Sequence, residues 1–489
     1  MSALVALLVF PLAGALAAIA LPGPAARAAA FAAIAATAGA AAALAWAVAS
    51  GGVVRLELGG WPPPLGIALA ADGLAVVLVV LTAVVMAGAG SVSIRVFAPD
   101  TAGDRAAFGF WPLMLFLWSA LNAVFLSRDL FNLYVSIELL SLAAIGLVAI
   151  GGQAGALAAA MRYMIFALAG SLLYLTGVVL IYAAHGTLDI DLLADRTPAA
   201  PDALALALMT AGLMAKTALF PFHVWLPPAH AGAPAPASAL LSGLVPKASF
   251  VILLRLWFDA MPDRASDGAL MLIALLGTAG VIWGSLVALR QTRLKMIVAY
   301  STVAQIGYLF LAFPLIGGGS ADLPWSAGAW NGAVFLALSH GLAKAGMFLA
   351  VGLWITAARS DRLSDLRGFA HVMPMTAFAF ALSAVTLAGL PPSGGFTGKY
   401  LVMTAAFGSG QWVWALVPIV GGLLAAAYLY RPLAVLFARD ATVVAAPPGR
   451  ALQLVPLVLA GASVALGVAS AGPFAILEIG RPSAAEDAP

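Results

Sequence analysis

KTALFPFHVWLPPAHAGAPAPASALLSGLVPKAS, residues 216–249, decides the fold. Its two apolar runs are hydrophobic enough for lipid, yet Lys216 and Lys247 stand inside them and Pro221 interrupts the first. A cation at the bilayer centre costs about 2.5–3.5 kcal/mol on insertion scales, and a broken helix is tolerated there only against protein or water. The combination returns in LAGLPPSGGFTGKYLVM, residues 387–403, where Pro391, Pro392, Gly394 and Gly395 precede Lys399. Proline and paired glycines open the helical hydrogen-bond ladder. Two interrupted apolar helices in corresponding halves of a chain point to an inverted-repeat transport core.

Outward from these segments, apolar stretches of about 20 residues, the length that crosses a bilayer, recur along the whole chain. They predict spans near 2–21, 27–50, 71–94, 107–127, 129–150, 160–184, 203–225, 235–258, 269–289, 296–316, 328–357, 374–406, 411–437 and 451–471. The expected fold is an all-α polytopic membrane protein of about fourteen transmembrane helices, with the seventh and twelfth broken. The breaks lie five spans apart, as two inverted five-helix repeats require. The expected divisions are 1–106 for helices 1–3, 107–260 and 268–438 for the repeats, and 439–489 for the last helix and tail.

Hydrophobic residues make up 63% of the 489 positions and charged residues 9%, which leaves no soluble domain. With no cysteine, disulfides, cysteine-ligated clusters and CxxCH haem attachment are excluded. The sequence holds no Rossmann or Walker glycine motif and no HExxH spacing, so no nucleotide, cofactor or metal site is expected. The net charge of +3 implies no nucleic-acid partner. The first apolar run has no Lys or Arg before it and reads as an uncleaved span. With the amino terminus outside, thirteen basic loop residues, Lys295 among them, fall on the cytoplasmic side against six, Arg255 among them, on the other. That asymmetry predicts a bacterial inner-membrane protein with both termini on the outer face.

Setting aside the loop and helix-end residues leaves Lys216, Lys247, Lys344 and Lys399 inside spans, four of five lysines and no arginine. A lysine can lose its proton in a low dielectric and an arginine cannot, so the selection suits a proton relay. Glu138 stands about ten residues into the fifth span, roughly 15 Å deep. A permanent helix clamp would need one amine for it, and four are present. His340 and Lys344 share a helix face four residues apart, the spacing for proton exchange between them. His223, His230, Asp72 and Arg162 are secondary candidates, His230 being placed in a loop and Asp72 near a span end. The many glycines predict close helix packing.

SRDLFNLYVSIELLSLAAIGLVA, KTALFPFHVWLPPAHAGAPAPASALLSGLVPKAS, SHGLAKAGMF and GLPPSGGFTGKY together resemble the antiporter-like proton-conducting subunits of respiratory complex I, membrane-bound hydrogenases and Mrp-type cation/proton antiporters. The resemblance covers about 100–430. It implies that Glu138, Lys216, Lys247, His340, Lys344 and Lys399 form a proton-translocating axis, with H⁺, and Na⁺ as a candidate counter-ion, as the cargo. It also implies other membrane subunits as partners and places any oxidoreductase chemistry in the assembly. The chain departs from the family pattern at Pro228, Thr292 and Gln305. DLFNLYV leans toward the D-type component of Mrp antiporters, with a hydrogenase or complex I component as the alternative. A stand-alone solute transporter would need a pocket of converging polar and aromatic groups, and a passive anchor would not need the lysines.

Overall fold

A computed structural model describes residues 2–97, 105–264, 266–317, 324–439 and 447–481; the tail beyond 481 lies outside the described residues. Thirteen helices in it are long and apolar enough to cross a membrane. They match thirteen of the fourteen expected spans. The remaining one, the twelfth, is divided into two helices of 15 residues each, Pro374–Ala388 and Gly394–Gly408. The second and sixth start earlier than expected, at Gly23 and Ala154, because alanine-rich turns extend both helices beyond their most apolar stretch.

One departure from the all-α expectation is a short antiparallel hairpin, Val54–Glu57 with Ala68–Ala71, between the second and third spans. Residues 53–57 alternate in burial, as a half-buried strand does.

The eighth span, Ala235–Ala260, and the eleventh, Trp325–Ala358, are surrounded on all sides. The first, second, sixth and fourteenth lie at the periphery. The central position of the eighth and eleventh matters because they carry Lys247, His340 and Lys344. Glycines let the backbones approach, as the composition predicted. A Cβ on Gly212 would stand 2.2 Å from the Gly170 carbonyl where the sixth and seventh spans cross, and one on Gly307 would stand 2.3 Å from the Gly277 carbonyl between the ninth and tenth.

On the face of the molecule that bears the hairpin, a ladder of ion pairs fixes the ends of several spans. Asp72 caps the third span by accepting from the Ala75 N–H at 2.9 Å and pairs with Arg255 at 2.6 Å. Arg255 also holds Asp259 at 2.6 Å, Arg128 reaches Asp259 at 3.2 Å and pairs with Asp191, and Arg55 holds Asp191 at 2.6 Å. Burial alone would raise the Asp191 carboxyl, yet Arg128 and Arg55 hold it below its ordinary value. Arg255 was expected in a loop and is instead buried at the end of the eighth span, in a π-helical turn spanning Arg255–Ala260. Its two carboxylate partners permit that position. Asp72, a secondary site candidate, belongs to this ladder and not to the row of buried amines.

Candidate functional site

The broken helices explain where the buried amines sit. The first half of the seventh span, Asp202–Thr217, stops at Ala218, which takes a left-handed conformation (φ 60°), and the Leu219 N–H turns back to the Met214 carbonyl at 3.1 Å. Pro221 has no N–H to resume the ladder, and the chain re-enters a helix at Leu226–Gly232 with prolines in its first turn. The first half of the twelfth span ends the same way: Gly389 is left-handed (φ 80°) and the Leu390 N–H returns to Val385 at 3.0 Å. Both ends are Schellman-type caps that leave helix carbonyls facing the interior. Gly395 is required at the second break, since a Cβ there would lie 2.0 Å from the Thr386 carbonyl.

The eighth span is interrupted as well, between Ala235–Gly243 and Val245–Leu254, at Leu244 just before Pro246. Its unbroken apolar pattern predicts a continuous helix there. Each of these three half-helices presents its C-terminal, partially negative end to a lysine. Lys216 is in the last turn of the first, Lys247 donates to the Ser242 carbonyl at 2.7 Å, and Lys399 donates to the Leu387 and Ala388 carbonyls at 3.2 and 3.0 Å.

Among the described residues, one lysine of the four has a carboxylate. Lys216 Nζ lies 3.0 Å from Glu138 Oε1 and 2.8 Å from Ser141 Oγ, and Ser171 also donates to Glu138. The Lys216 side chain is 4% exposed and that of Glu138 22%, so the pair is anchored on one side and open on the other. Lys247 Nζ lies 2.7 Å from His340 Nδ1. An N–H···N bond needs a lone pair on one partner, so this couple shares one bridging proton. Lys344 donates to the Val298 carbonyl at 2.8 Å and to Ser301. Lys399 Nζ sits 4.4 Å over the Tyr308 ring. All four lysines are buried.

Several expectations change. His340 bonds across to Lys247 and makes no hydrogen bond with Lys344, its neighbour on the same face. Helix spacing brings the latter two close, but packing of the eighth span against the eleventh supplies the nearer partner. His230 is no loop residue: it is fully buried in Leu226–Gly232, stacked on Phe348 at 4.8 Å, with neither ring nitrogen hydrogen bonded. Lys295 is no loop residue either. The tenth span begins at Leu294, which draws Lys295 inward to 7% exposure and onto the Ala233 carbonyl. It lines a cleft of about 530 Å³ with Arg293, Arg359 and Asp361, opposite the hairpin face. His223 is buried in the turn Phe222–Trp225 against Phe220, and Arg162 is exposed on the sixth span; neither contacts the amines through a hydrogen bond.

No side-chain hydrogen bond joins the Glu138–Lys216 pair to the Lys247–His340 pair among the described residues. Buried nitrogens without partners, His340 Nε2 and both of His230, line the interior beyond that gap. Such atoms ordinarily take water.

Residues 127–425, which contain every one of these lysines and histidines, match the NADH:quinone oxidoreductase/Mrp antiporter transmembrane family. The chain belongs to that family. Among its members, NADH-quinone oxidoreductase subunit N of Desulforudis audaxviator is 37% identical over 77% of this chain and 74% of its own length. The D component of the Na(+)/H(+) antiporter of Alkalihalophilus pseudofirmus is 30% identical over 77% of this chain and 74% of its own. A chain in the Mrp complex from Dietzia sp. DQ12-45-1b superposes with a TM-score of 0.88 at 26% identity, covering 98% of both chains. The family is thus one of multi-pass membrane proteins, and this member keeps its fold from end to end.

Proposed function

We propose that the chain is an ion-translocating, antiporter-like subunit of a multisubunit complex in the bacterial inner membrane, carrying H⁺ along its buried amines. The observation that carries this reading is the Lys216–Glu138 pair, set in an apolar span at the end of a broken helix and followed by three lysines that have no carboxylate partner among the described residues. A structural clamp accounts for the pair and leaves those three unexplained. In the mechanism, Lys216 exchanges between Glu138 and a proton held deeper inside. Lys247 with His340, then Lys344, then Lys399 carry the charge onward. Protons reach this row from the Lys295 cleft by way of His230, and both termini lie on the opposite, outer face.

The relatives support two assemblies. Identity is higher to a subunit N of NADH-quinone oxidoreductase, whereas the fold, matched nearly end to end in both assemblies, lies nearer the Mrp chain, at a TM-score of 0.88, than the complex I chain, at 0.77. We favour the Mrp D-type role, with Na⁺ as the exchanged ion, and keep the proton-pumping role in a complex I or hydrogenase assembly as the alternative. The two repeats, 107–260 and 268–438, are proposed on the shared geometry of the breaks at Ala218 and Gly389.

Membrane vesicles holding the assembled complex test the proposal. Driving the complex is expected to build a pH gradient, and Lys295→Ala is expected to slow its onset severalfold by removing the amine at the cleft. A complex lacking this chain that translocates ions at the full rate would overturn the reading.

A further inference from the structure

The segment between Lys344 and Lys399 holds three buried hydroxyls, of Ser301, Tyr308 and Tyr428, that the proposed mechanism does not use. Lys344 Nζ donates to Ser301. The Tyr428 hydroxyl, on the thirteenth span, faces Ser301 and Gln305. It makes no hydrogen bond of ordinary geometry, although Tyr428 is only 1% exposed. Gln305 Nε2 donates to the Leu387 carbonyl at 2.8 Å, and the same carbonyl accepts Lys399 Nζ at 3.2 Å. Close by, the Tyr308 hydroxyl is also buried without a partner, and a Cβ on Gly421 would lie 2.2 Å from it. Polar groups therefore run from one lysine to the other, and the tyrosine hydroxyls are their unsatisfied members.

We propose that Tyr428 relays protons between Lys344 and Lys399, with Gln305 holding the relay in line. The inference rests on the translocation reading. Serine and tyrosine hydroxyls each carry one donor and free lone pairs, so each accepts one proton while releasing another. A glutamine amide cannot do this without becoming an imidic acid, and Gln305 is therefore a positioning residue. In the step, the Lys344 ammonium gives a proton to Ser301 Oγ as the Ser301 hydroxyl proton passes to Tyr428 Oη. The Tyr428 proton passes to a water beside Lys399, and that water protonates the neutral Lys399 amine. Both hydroxyls and the water end with their original proton count, and one positive charge has moved from Lys344 to Lys399.

A packing role makes the opposite prediction. An unpaired buried hydroxyl is destabilising, so Tyr428→Phe, which keeps the ring, would be neutral or stabilising if packing were all that mattered. The relay predicts that Tyr428→Phe leaves assembly intact and lowers the initial proton-translocation rate in vesicles of the complex by about a hundredfold, the lower end of what positioned proton transfer supplies. It further predicts that adding Gln305→His, whose imidazole can accept and donate, restores much of the rate. Lys399→Ala runs beside these variants. A full rate with Tyr428→Phe and none with Lys399→Ala would overturn the relay alone, and full rates with both would overturn the translocation reading beneath it. A loss that Gln305→His leaves unrepaired would mean that Tyr428 supports the rate without passing a proton, and would overturn the relay.

Discussion

Glu138→Gln and Lys216→Ala are each expected to abolish ion translocation while the complex still assembles. Glutamine keeps the shape of Glu138 and a hydrogen-bonding oxygen for Ser171, but it removes the charge that holds the Lys216 ammonium, 3.0 Å from the carboxylate, toward the fifth span. Lys216 then keeps the Ser141 hydroxyl, 2.8 Å away, but loses the charged partner against which its exchange works. Alanine at 216 removes the carrier itself and leaves Glu138 with Ser171. Neither change touches the Schellman turn at Ala218 or the Trp225 Nε1 bond to the Ala215 carbonyl at 2.9 Å, so the break in the seventh span should persist. Loss of a positioned proton-transfer group typically costs about 10²–10⁴ in rate, which would take pH-gradient formation in vesicles below detection. Full transport by either variant, with normal complex yield, would refute the account of the pair.

Arg255→Met is expected to have the largest effect on stability. Among the described residues Arg255 is the cation shared by the buried Asp72 and the largely buried Asp259, and its removal leaves two carboxylates facing each other with Arg128 bonded only to the second. Removing one partner of a buried ion pair costs about 3–5 kcal/mol, because the charge left behind is uncompensated. The damage should concentrate on the hairpin face, where Asp72 also caps the third span. Thermal unfolding of the purified complex should show a clearly lowered midpoint, and an unchanged midpoint would contradict the ladder. Adding Asp72→Asn and Asp259→Asn to Arg255→Met should recover part of the loss, since the stranded charges are then gone. The outer rungs carry a pH signature. Asp191 has a depressed carboxyl, so its contribution is complete above the usual aspartate range and fades as pH falls through the lowered value.

Long apolar runs made the spans legible, and a lysine inside such a run is conspicuous, which is why Glu138, Lys216, Lys247, Lys344 and Lys399 could be named from sequence. Residues at span ends were harder to read. Lys295 follows Arg293 and Arg290 and resembles any basic connection, until the helix is seen to start one residue earlier. Arg255 looked like a loop arginine because its carboxylate partners come from Asp72 and Asp259, one of them remote in sequence. His230 lies among prolines and alanines that suggest a loop, yet Pro227 and Pro228 occupy the first turn of a helix, where proline is at home. Helix periodicity paired His340 with Lys344, but the bond to Lys247 belongs to tertiary packing and leaves no local mark. The second broken lysine site was legible in its prolines, whereas the interruption at Leu244 was signalled only by Pro246.

The proposed function requires charge to cross from the Lys216 pair to the Lys247 pair, where no side-chain hydrogen bond spans the distance among the described residues. A high-resolution structure of the assembled complex with its solvent visible tests that requirement most directly. Water density running between Lys216 Nζ and Lys247 Nζ, and onward past His230 to the Lys295 cleft, is the predicted result. Dry aliphatic packing between the two lysines in every state of the complex would contradict it.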